Sequence, residues 1–209
     1  MIYILGCGGH AKVIIDLLRA CNIEEELTLR DDNPEKHQQI INDVKVSGGI
    51  SDLGTNFSGK AIIAIGANSI RKKIDLMFPF ANWLTLIHKS ATVSPYARLA
   101  PGCVVMAGAI IQSDTICGRH TIINTAASID HDNIIGNYSH IAPGCHLTGN
   151  VSIGEETLLG AGTIVIPGVH IGHKVTVGAG SCVIRDLPDN ITAFGIPATI
   201  RKNKECKNV

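Results

Sequence analysis

The sequence predicts two joined folds: a small Rossmann-like parallel α/β sheet, then a parallel β-helix of hexapeptide repeats. Three observations carry this. The first is a six-residue beat. Ile87, Val93, Leu99, Val105, Ile111, Cys117, Ile123 and every sixth residue after them through Val183 are Ile, Leu or Val, with Cys117 the one small exception among seventeen. A helix repeats at 3.6 residues and a simple strand at two, so neither holds that phase, whereas a hexapeptide solenoid does. The second is the position four residues after each aliphatic. It is usually small or β-branched, as at Ala91, Cys103, Ala109, Thr121, Ser139, Cys145 and Ser181, and such side chains fill a narrow core. The third is an apolar run at residues 2–5 that enters Gly6-Cys7-Gly8-Gly9-His10-Ala11, followed by Val13, Ile14, Leu17 and Leu18 at helical spacing.

In chain order, residues 2–5 read as a buried strand, 10–22 as a helix, 27–29 as a second strand closed by Asp31-Asp32-Asn33-Pro34, and 61–66 as a third. A second helix is expected over 69–77, bearing Arg71, Lys72 and Lys73. Three strands thus precede the solenoid, and residues 35–60 carry no clear pattern. The change of pattern sets a front domain at 1–84 and a β-helix domain with its tail at 85–209. Glycines directly after the aliphatic, such as Gly118, Gly136, Gly154, Gly160, Gly172 and Gly178, are expected to give the corners backbone freedom. No insertion disturbs the count, so no long loop is expected. A β-sandwich of short strands would not keep one phase through Pro101, Pro143 and Pro167. After the hexads come an expected exit loop at 185–190, a short extended piece at 194–198 and a polar, disordered tail at 201–209.

Composition narrows the function classes. The chain has 18 basic and 18 acidic side chains, aromatics at 4%, and no basic stripe interleaved with aromatics, which argues against nucleic acid as a partner. No run reaches the roughly 18 to 20 apolar residues of a membrane span, and the first residues lack signal-peptide features. Seven cysteines without a C-x-x-C pair suit reduced thiols, so a cytoplasmic protein is expected.

The glycine turn fits G-x-G-x-x-A through Gly6, Gly8 and Ala11, with Asp31 and Asp32 at the spacing of a ribose-binding acid. A dinucleotide spans two mononucleotide halves, and three strands supply only one. The turn therefore points to a mononucleotide-like ligand, its phosphates on the N–H groups of Gly8 and Gly9 at the helix start. Of the nine histidines, His37, His88, His120, His170 and His173 have no informative context and are expected at the surface or in turns. His131 is flanked by Asp130 and Asp132, which would raise its basicity and orient its ring. Three hexads make one coil, so Gly149 falls one coil from His131 at a strand-like spacing of roughly 4.8 Å, where an N–H could face an oxyanion. No metal is expected. Zinc-binding β-helices of the γ-type carbonic anhydrases separate their close histidine pair by four residues, whereas His140 and His146 have five between them, and no other triad has good spacing.

The chain resembles the bacterial hexapeptide-repeat sugar O- and N-acyltransferases of the PglD/NeuD-like group, which includes UDP-4-amino-sugar N-acetyltransferases of the bacillosamine pathway. The likeness runs through Tyr3-Ile4-Leu5-Gly6, Gly8-Gly9-His10, Asp31-Asp32, Ala64-Ile65-Gly66-Ala67-Asn68, Ile70-Arg71-Lys72-Lys73-Ile74 and Leu86-Ile87-His88-Lys89-Ser90-Ala91. It continues through Asn124-Thr125, Ile129-Asp130-His131-Asp132, Ser139-His140, Gly149-Asn150-Val151 and Gly195-Ile196-Pro197-Ala198. The resemblance implies a left-handed β-helix, a homotrimer and acetyl-CoA held between neighbouring subunits. It implies His131 as general base, His140 as a contact to acetyl-CoA, and Ala161 and Ala179 as backbone contacts to it. Gly8, Gly9, His10, Asp31, Asp32 and Gly66 match the nucleotide-sugar pocket. Asp132, beside the base, stands where the UDP-amino-sugar enzyme has Glu.

The reaction this implies is direct acetyl transfer to the C4 amine of a nucleotide-linked 4-amino-4,6-dideoxy sugar, in bacterial glycan biosynthesis. Gly149 would steady the oxyanion, and no covalent acyl-enzyme forms. Two rivals stand beside it: a sialic acid or other sugar O-acetyltransferase, and a non-catalytic nucleotide-sugar-binding scaffold.

Overall fold

In the computed structural model, which describes residues 1–201, the front domain runs β1 (Ile2–Leu5), α1 (Gly9–Ala20), β2 (Leu27–Arg30), β3 (Ile40–Ile41), β4 (Val44–Lys45), β5 (Lys60–Ile63), α2 (Asn68–Met77) and β6 (Asn82–Trp83). The sheet order is β2-β1-β5-β6 and every pairing in it is parallel. The sheet thus has a fourth strand, where the sequence suggests three. β6 is two residues long, too short to show alternation. The patternless residues 35–60 hold an antiparallel hairpin of β3 and β4 between 3-10 turns at Pro34–Lys36 and Ser51–Leu53.

Seventeen two-residue strands follow, from Leu86–Ile87 to Cys182–Val183, stacked in parallel on one another one coil apart. The result is a left-handed parallel β-helix with three walls. The first wall starts at Leu86–Ile87, the second at Thr92–Val93 and the third at Arg98–Leu99. The beat residue, second in each strand, points inward. Val105, Ile123, Ile141, Leu159 and Val177 stack with the small slot residues in one core. Buried hydroxyls in those slots tie coil to coil: Thr115 Oγ1 donates to the Asp130 carbonyl at 2.7 Å, Ser139 to Gly154 at 2.8 Å and Thr157 to Gly172 at 2.7 Å.

The corners correct the expected reason for their glycines. Positive φ recurs at every sixth residue from Gly102 to Gly180, three places after the beat, and eight of those fourteen positions carry side chains, Asp132 and Asn150 among them. Gly118, Gly136, Gly154 and Gly160 do not lie there. A Cβ on Gly136 would stand 2.6 Å from Glu155 N, and one on Gly160 2.5 Å from Ala179 N. These glycines permit close stacking of one corner on the next.

The front domain sits on the first wall. Leu86, Val104 and Ile122 point outward there, yet they are buried in one cluster with Ile14, Leu17 and Leu18 of α1. Beside them α2 docks on the corner between the third and first walls through a buried polar hub. Arg71, 1% exposed, donates to the carbonyls of Ile65, Gly66, His120, Tyr138 and Ser139 and to Asn68 Oδ1. Asp75 accepts from Arg119 and from Tyr138 Oη. Burial works to raise the Asp75 carboxyl, but contacts from His120, Arg119 and Tyr138 outweigh it and hold it well below the usual carboxylate range. His120, expected at the surface or in a turn without a role, is in a corner but buried in this hub, with Nε2 3.0 Å from Asp75 Oδ1 and the ring stacked on Tyr138. Its acidic neighbour lies 45 positions away in sequence, out of reach of local context.

At the far end, Thr192–Phe194 extends the first wall, and Thr199–Ile200 folds back antiparallel to it. The expected extended piece at 194–198 is therefore a turn, with Gly195 at φ +106°. Apart from Arg201, the tail expected to be disordered lies outside the described residues. No helix among the described residues is long and apolar enough to cross a membrane.

Candidate active site

His131 stands in the corner between the second and third walls. Its Nδ1–H donates to Asp132 Oδ2 at 2.7 Å, so Nε2 is left as the acceptor in the neutral ring. Asp132 lies at φ +59°, a conformation aspartate tolerates better than most residues, and this corner brings the short carboxylate to its neighbour's ring. That hydrogen bond raises the His131 pKa above the ordinary imidazole value, with Asp130 adding to it through space. Gly149 lies directly beneath the ring: a Cβ there would be 2.6 Å from His131 Cε1 and 2.7 Å from Nε2. Among the described residues nothing accepts a hydrogen bond from the Gly149 N–H. The corner therefore offers a basic nitrogen and an uncommitted donor side by side.

His140 points outward from the first wall, one coil beyond Ile122, where the front domain overhangs it. Asn124 Nδ2 donates to its Nε2 at 3.0 Å. Burial, with Arg71 and His10 nearby, lowers His140 to about 4. Burial and Arg71 likewise lower His10 to about 4, so both rings are neutral at pH 7. His10 is turned inward from the start of α1, and its Nε2 is buried without a protein partner. His10, His140 and the Gly66 backbone thus meet at the domain junction.

Gly8 and Gly9, at the start of α1, and Gly66 leave open space: a Cβ on any of them would meet nothing within 4 Å. Packing does not demand glycine there, whereas close approach of a ligand to the backbone would. Asp31 is held by its own fold, accepting from Cys7 N and Cys7 Sγ at 3.0 Å each and from Asn33 N at 3.0 Å. Asp32 Oδ1 accepts from Ser51 N and Ser51 Oγ. The two aspartates line a cleft of about 200 Å³ with Lys73 and Ile70 of α2. Gly66 opens on a second cleft of about 350 Å³ between the start of α2 and the first wall, lined also by Lys174 and Thr176. Ala161 and Ala179 stack, exposed, in the corner between the first and second walls, where Gly180 N donates to the Ala161 carbonyl at 2.8 Å.

The candidate residues therefore fall into separate groups within one chain. The front domain covers the first wall and packs at both corners beside it, through Arg119 and Tyr138 on one side and Met106 on the other. The corner it leaves uncovered is the one that carries His131. Two residues escaped the sequence reading, Asn124 as the partner of His140 and Arg71 as the hub of the junction. Asn124 lies one place after a beat residue, and nothing in its neighbourhood marks it. Arg71 is one of three consecutive cations on α2, and nothing in that run sets it apart from Lys72 and Lys73.

Comparison with known proteins agrees with this architecture. Residues 1–75 match the PglD N-terminal domain and residues 150–185 the hexapeptide repeat of succinyl-transferase. Perosamine N-acetyltransferase from Caulobacter crescentus, solved with CoA and GDP-perosamine as a variant in which one histidine is replaced by asparagine, is 41% identical, covering 97% of each chain at a TM-score of 0.87. The acetyltransferase domain of PglB from Neisseria gonorrhoeae is 35% identical over 96% of this chain and 98% of that one, at a TM-score of 0.89, and is also solved with acetyl coenzyme A. The uncharacterized protein L142 of Acanthamoeba polyphaga mimivirus is 34% identical over 122 residues, and the match takes up 24% of that relative. The chain thus spans about a quarter of the length of that curated relative. With 41% identity to one sugar N-acetyltransferase along nearly the whole chain, and the matching front domain joined to the same β-helix, this protein belongs to the PglD-like family of hexapeptide-repeat sugar acetyltransferases.

Proposed function

We propose that the protein transfers the acetyl group of acetyl-CoA to the C4 amine of a nucleotide-linked 4-amino-4,6-dideoxy sugar, with His131 as general base, for glycan biosynthesis. The observation that carries this reading is the corner itself, where Nε2 of a carboxylate-oriented imidazole lies against Gly149 with its unpaired N–H. The amine nitrogen attacks the thioester carbonyl carbon, and Nε2 of His131 takes the proton the amine sheds. The Gly149 N–H stabilises the oxyanion, as a preorganised backbone donor does. When the tetrahedral species collapses the C–S bond breaks, the imidazolium returns its proton to the thiolate, and the products are the N-acetyl sugar and CoA. The buried thiols have no part in this: burial raises Cys103 to about 11 and Cys117 beyond that.

The separation of His131 from the front-domain clefts supports a site completed between neighbouring subunits of a homotrimer, so that one chain's base meets an acceptor held by its neighbour. In this reading Gly8, Gly9, His10, Asp31, Asp32 and Gly66 hold the nucleotide sugar. Asp31 fixes the glycine turn, and the exposed backbone of Ala161 and Ala179 receives the CoA arm. The neutral His140 ring contacts acetyl-CoA. Support for the donor and the acceptor class comes from the relatives solved with CoA, acetyl coenzyme A and GDP-perosamine.

The deciding experiment is thiol release from acetyl-CoA with GDP-, UDP- and dTDP-linked 4-amino sugars and with sialic acid. Turnover is expected with at least one amino sugar. Turnover with sialic acid alone would replace N- by O-acetylation, and ligand-dependent stabilisation with no thiol release would make the protein a scaffold.

The raised His131 pKa sets the pH dependence. The base works only when neutral, so kcat climbs with pH through a limb lying above the ordinary imidazole value. Asp132→Asn removes the leading cause of the shift, so the limb should move to lower pH. The plateau should drop about 10-fold, part of what a positioned base contributes. An unchanged limb would show that Asp132 does not tune the base.

A further inference from the structure

From residue 91 to residue 181, the slot four residues after each beat residue holds Ala, Cys, Ser, Thr or Val except at residue 133. Asn133 is fully buried there, 0% exposed. Its amide makes the two coil-to-coil bonds that Thr115, Ser139 and Thr157 make through a hydroxyl: Nδ2 donates to the Thr148 carbonyl at 3.0 Å, and Oδ1 accepts from Val151 N at 3.1 Å. Thr157 does the same through one oxygen, donating to Gly172 and accepting from Val175 N. Thr121, Thr163 and Ser181 direct their one O–H to the carbonyl three residues back instead, at 2.6 to 2.7 Å, whereas Nδ2 has a second N–H and makes both kinds of bond. It reaches back to the carbonyls of Asp130 at 2.8 Å and His131 at 3.2 Å.

One buried amide therefore joins two turns. The first carries His131, and the second, 148–151, carries Gly149. The His131 carbonyl also accepts from Asn150 N at 3.0 Å, so the backbone of the base is held from its own turn and from the next. A fully buried amide with both N–H groups and its oxygen engaged has no freedom to rotate without breaking bonds that water cannot replace.

We infer that Asn133 is a positioning residue, which fixes the spacing between the His131 imidazole and the Gly149 N–H. The inference rests on the reading of those two groups as base and oxyanion donor. Asn133 touches neither substrate nor reacting atoms. It acts through the two backbones, and a displacement of the order of 1 Å in such a pair can cost about 10²-fold in rate.

Asn133→Thr is the test, because the slot accepts threonine at Thr115, Thr121, Thr157 and Thr163, and a threonine has one O–H for either the next coil, as at Thr157, or the carbonyl three residues back, as at Thr121, so it cannot join both turns as the amide does. The variant is expected to fold and to keep KM for acetyl-CoA and acceptor within about threefold, while kcat falls about 10- to 100-fold. Asn133→Ser, the residue at Ser139 and Ser181, replaces it if threonine does not fold and carries the same expectation. Thr157→Val breaks the equivalent bond at a corner with no reacting group, and should keep wild-type kcat below its melting temperature. His131→Gln is assayed alongside. Wild-type kcat in Asn133→Thr with an inactive His131→Gln overturns the positioning role alone, as does an equal kcat loss in Thr157→Val, which would mark a generic structural effect. Full turnover in His131→Gln overturns the base assignment and this inference with it.

Discussion

Replacing His131 with glutamine is expected to lower kcat by about 10² to 10⁴-fold, the usual contribution of a positioned general base, with little change in KM for either substrate. Glutamine keeps a polar side chain of similar reach but cannot take up a proton at neutral pH. The substitution should leave the fold intact, since the ring is exposed and its side-chain hydrogen bond is to the adjacent Asp132. A similar melting temperature with turnover lost by that factor is therefore the signature of chemistry rather than of packing. A free 4-amino group can attack a thioester unaided once neutral, so above the pH limb of His131 the loss should shrink as pH rises and the amine sheds its proton by itself. Turnover within a few-fold of wild type at pH 7 would remove His131 from the reaction.

The β-helix was legible because a solenoid imposes one geometric demand many times. Ile123, Ile141 and Leu159 each fill the same inward place one coil apart, so the period survives any single exception such as Cys117. The corners were less legible for the same reason inverted. Left-handed φ recurs as regularly as the aliphatics, but it is met by Gly102, Asp114, His120, Ala126, Tyr138 and Lys174 alike. The cost of one to two kcal/mol per left-handed residue is small beside the packing of a coil, so composition carries little trace of it.

The His131 corner could be assembled in advance because its three parts are related by the chain itself: Asp132 is adjacent, and Gly149 is one coil of eighteen residues away. The junction was not legible, since Arg71 meets Tyr138 and Asp75 meets His120 across large sequence separations that no period relates. Asn133 falls between these cases. Its slot was visible in the repeat and its amide was the one polar departure from the small and β-branched residues there, yet only the structure shows where a second N–H goes.

The junction also carries the largest stability effect expected from one substitution away from the hydrophobic core. Arg71→Met keeps much of the side chain's length and apolar stem but removes every donor, leaving the carbonyls of Ile65, Gly66, His120, Tyr138 and Ser139 to find new partners in a buried place. An orphaned buried acceptor costs about 1 to 3 kcal/mol. Against this, methionine recovers the desolvation cost of the guanidinium, which is large enough to lower Arg71 to about 10. One of the five carbonyls keeps another partner, since Ser139 also accepts from Ile122 N at 3.0 Å. The balance favours loss, about 3 to 5 kcal/mol, in the range found when one member of a buried polar pair is removed. For a chain of this size that is a drop in melting temperature of roughly 6 to 20 °C. Arg71→Lys keeps the charge but not the planar fork, and should fall between. Because the hub joins the front domain to the coil rather than holding either core, the loss should appear first as release of α2. Hydrogen exchange would then rise over residues 64–77 while the walls from residue 104 onward stay protected. Uniform exchange across both domains, or an unchanged melting temperature, would show that the apolar seat of Leu86, Val104 and Ile122 holds the domains together without Arg71.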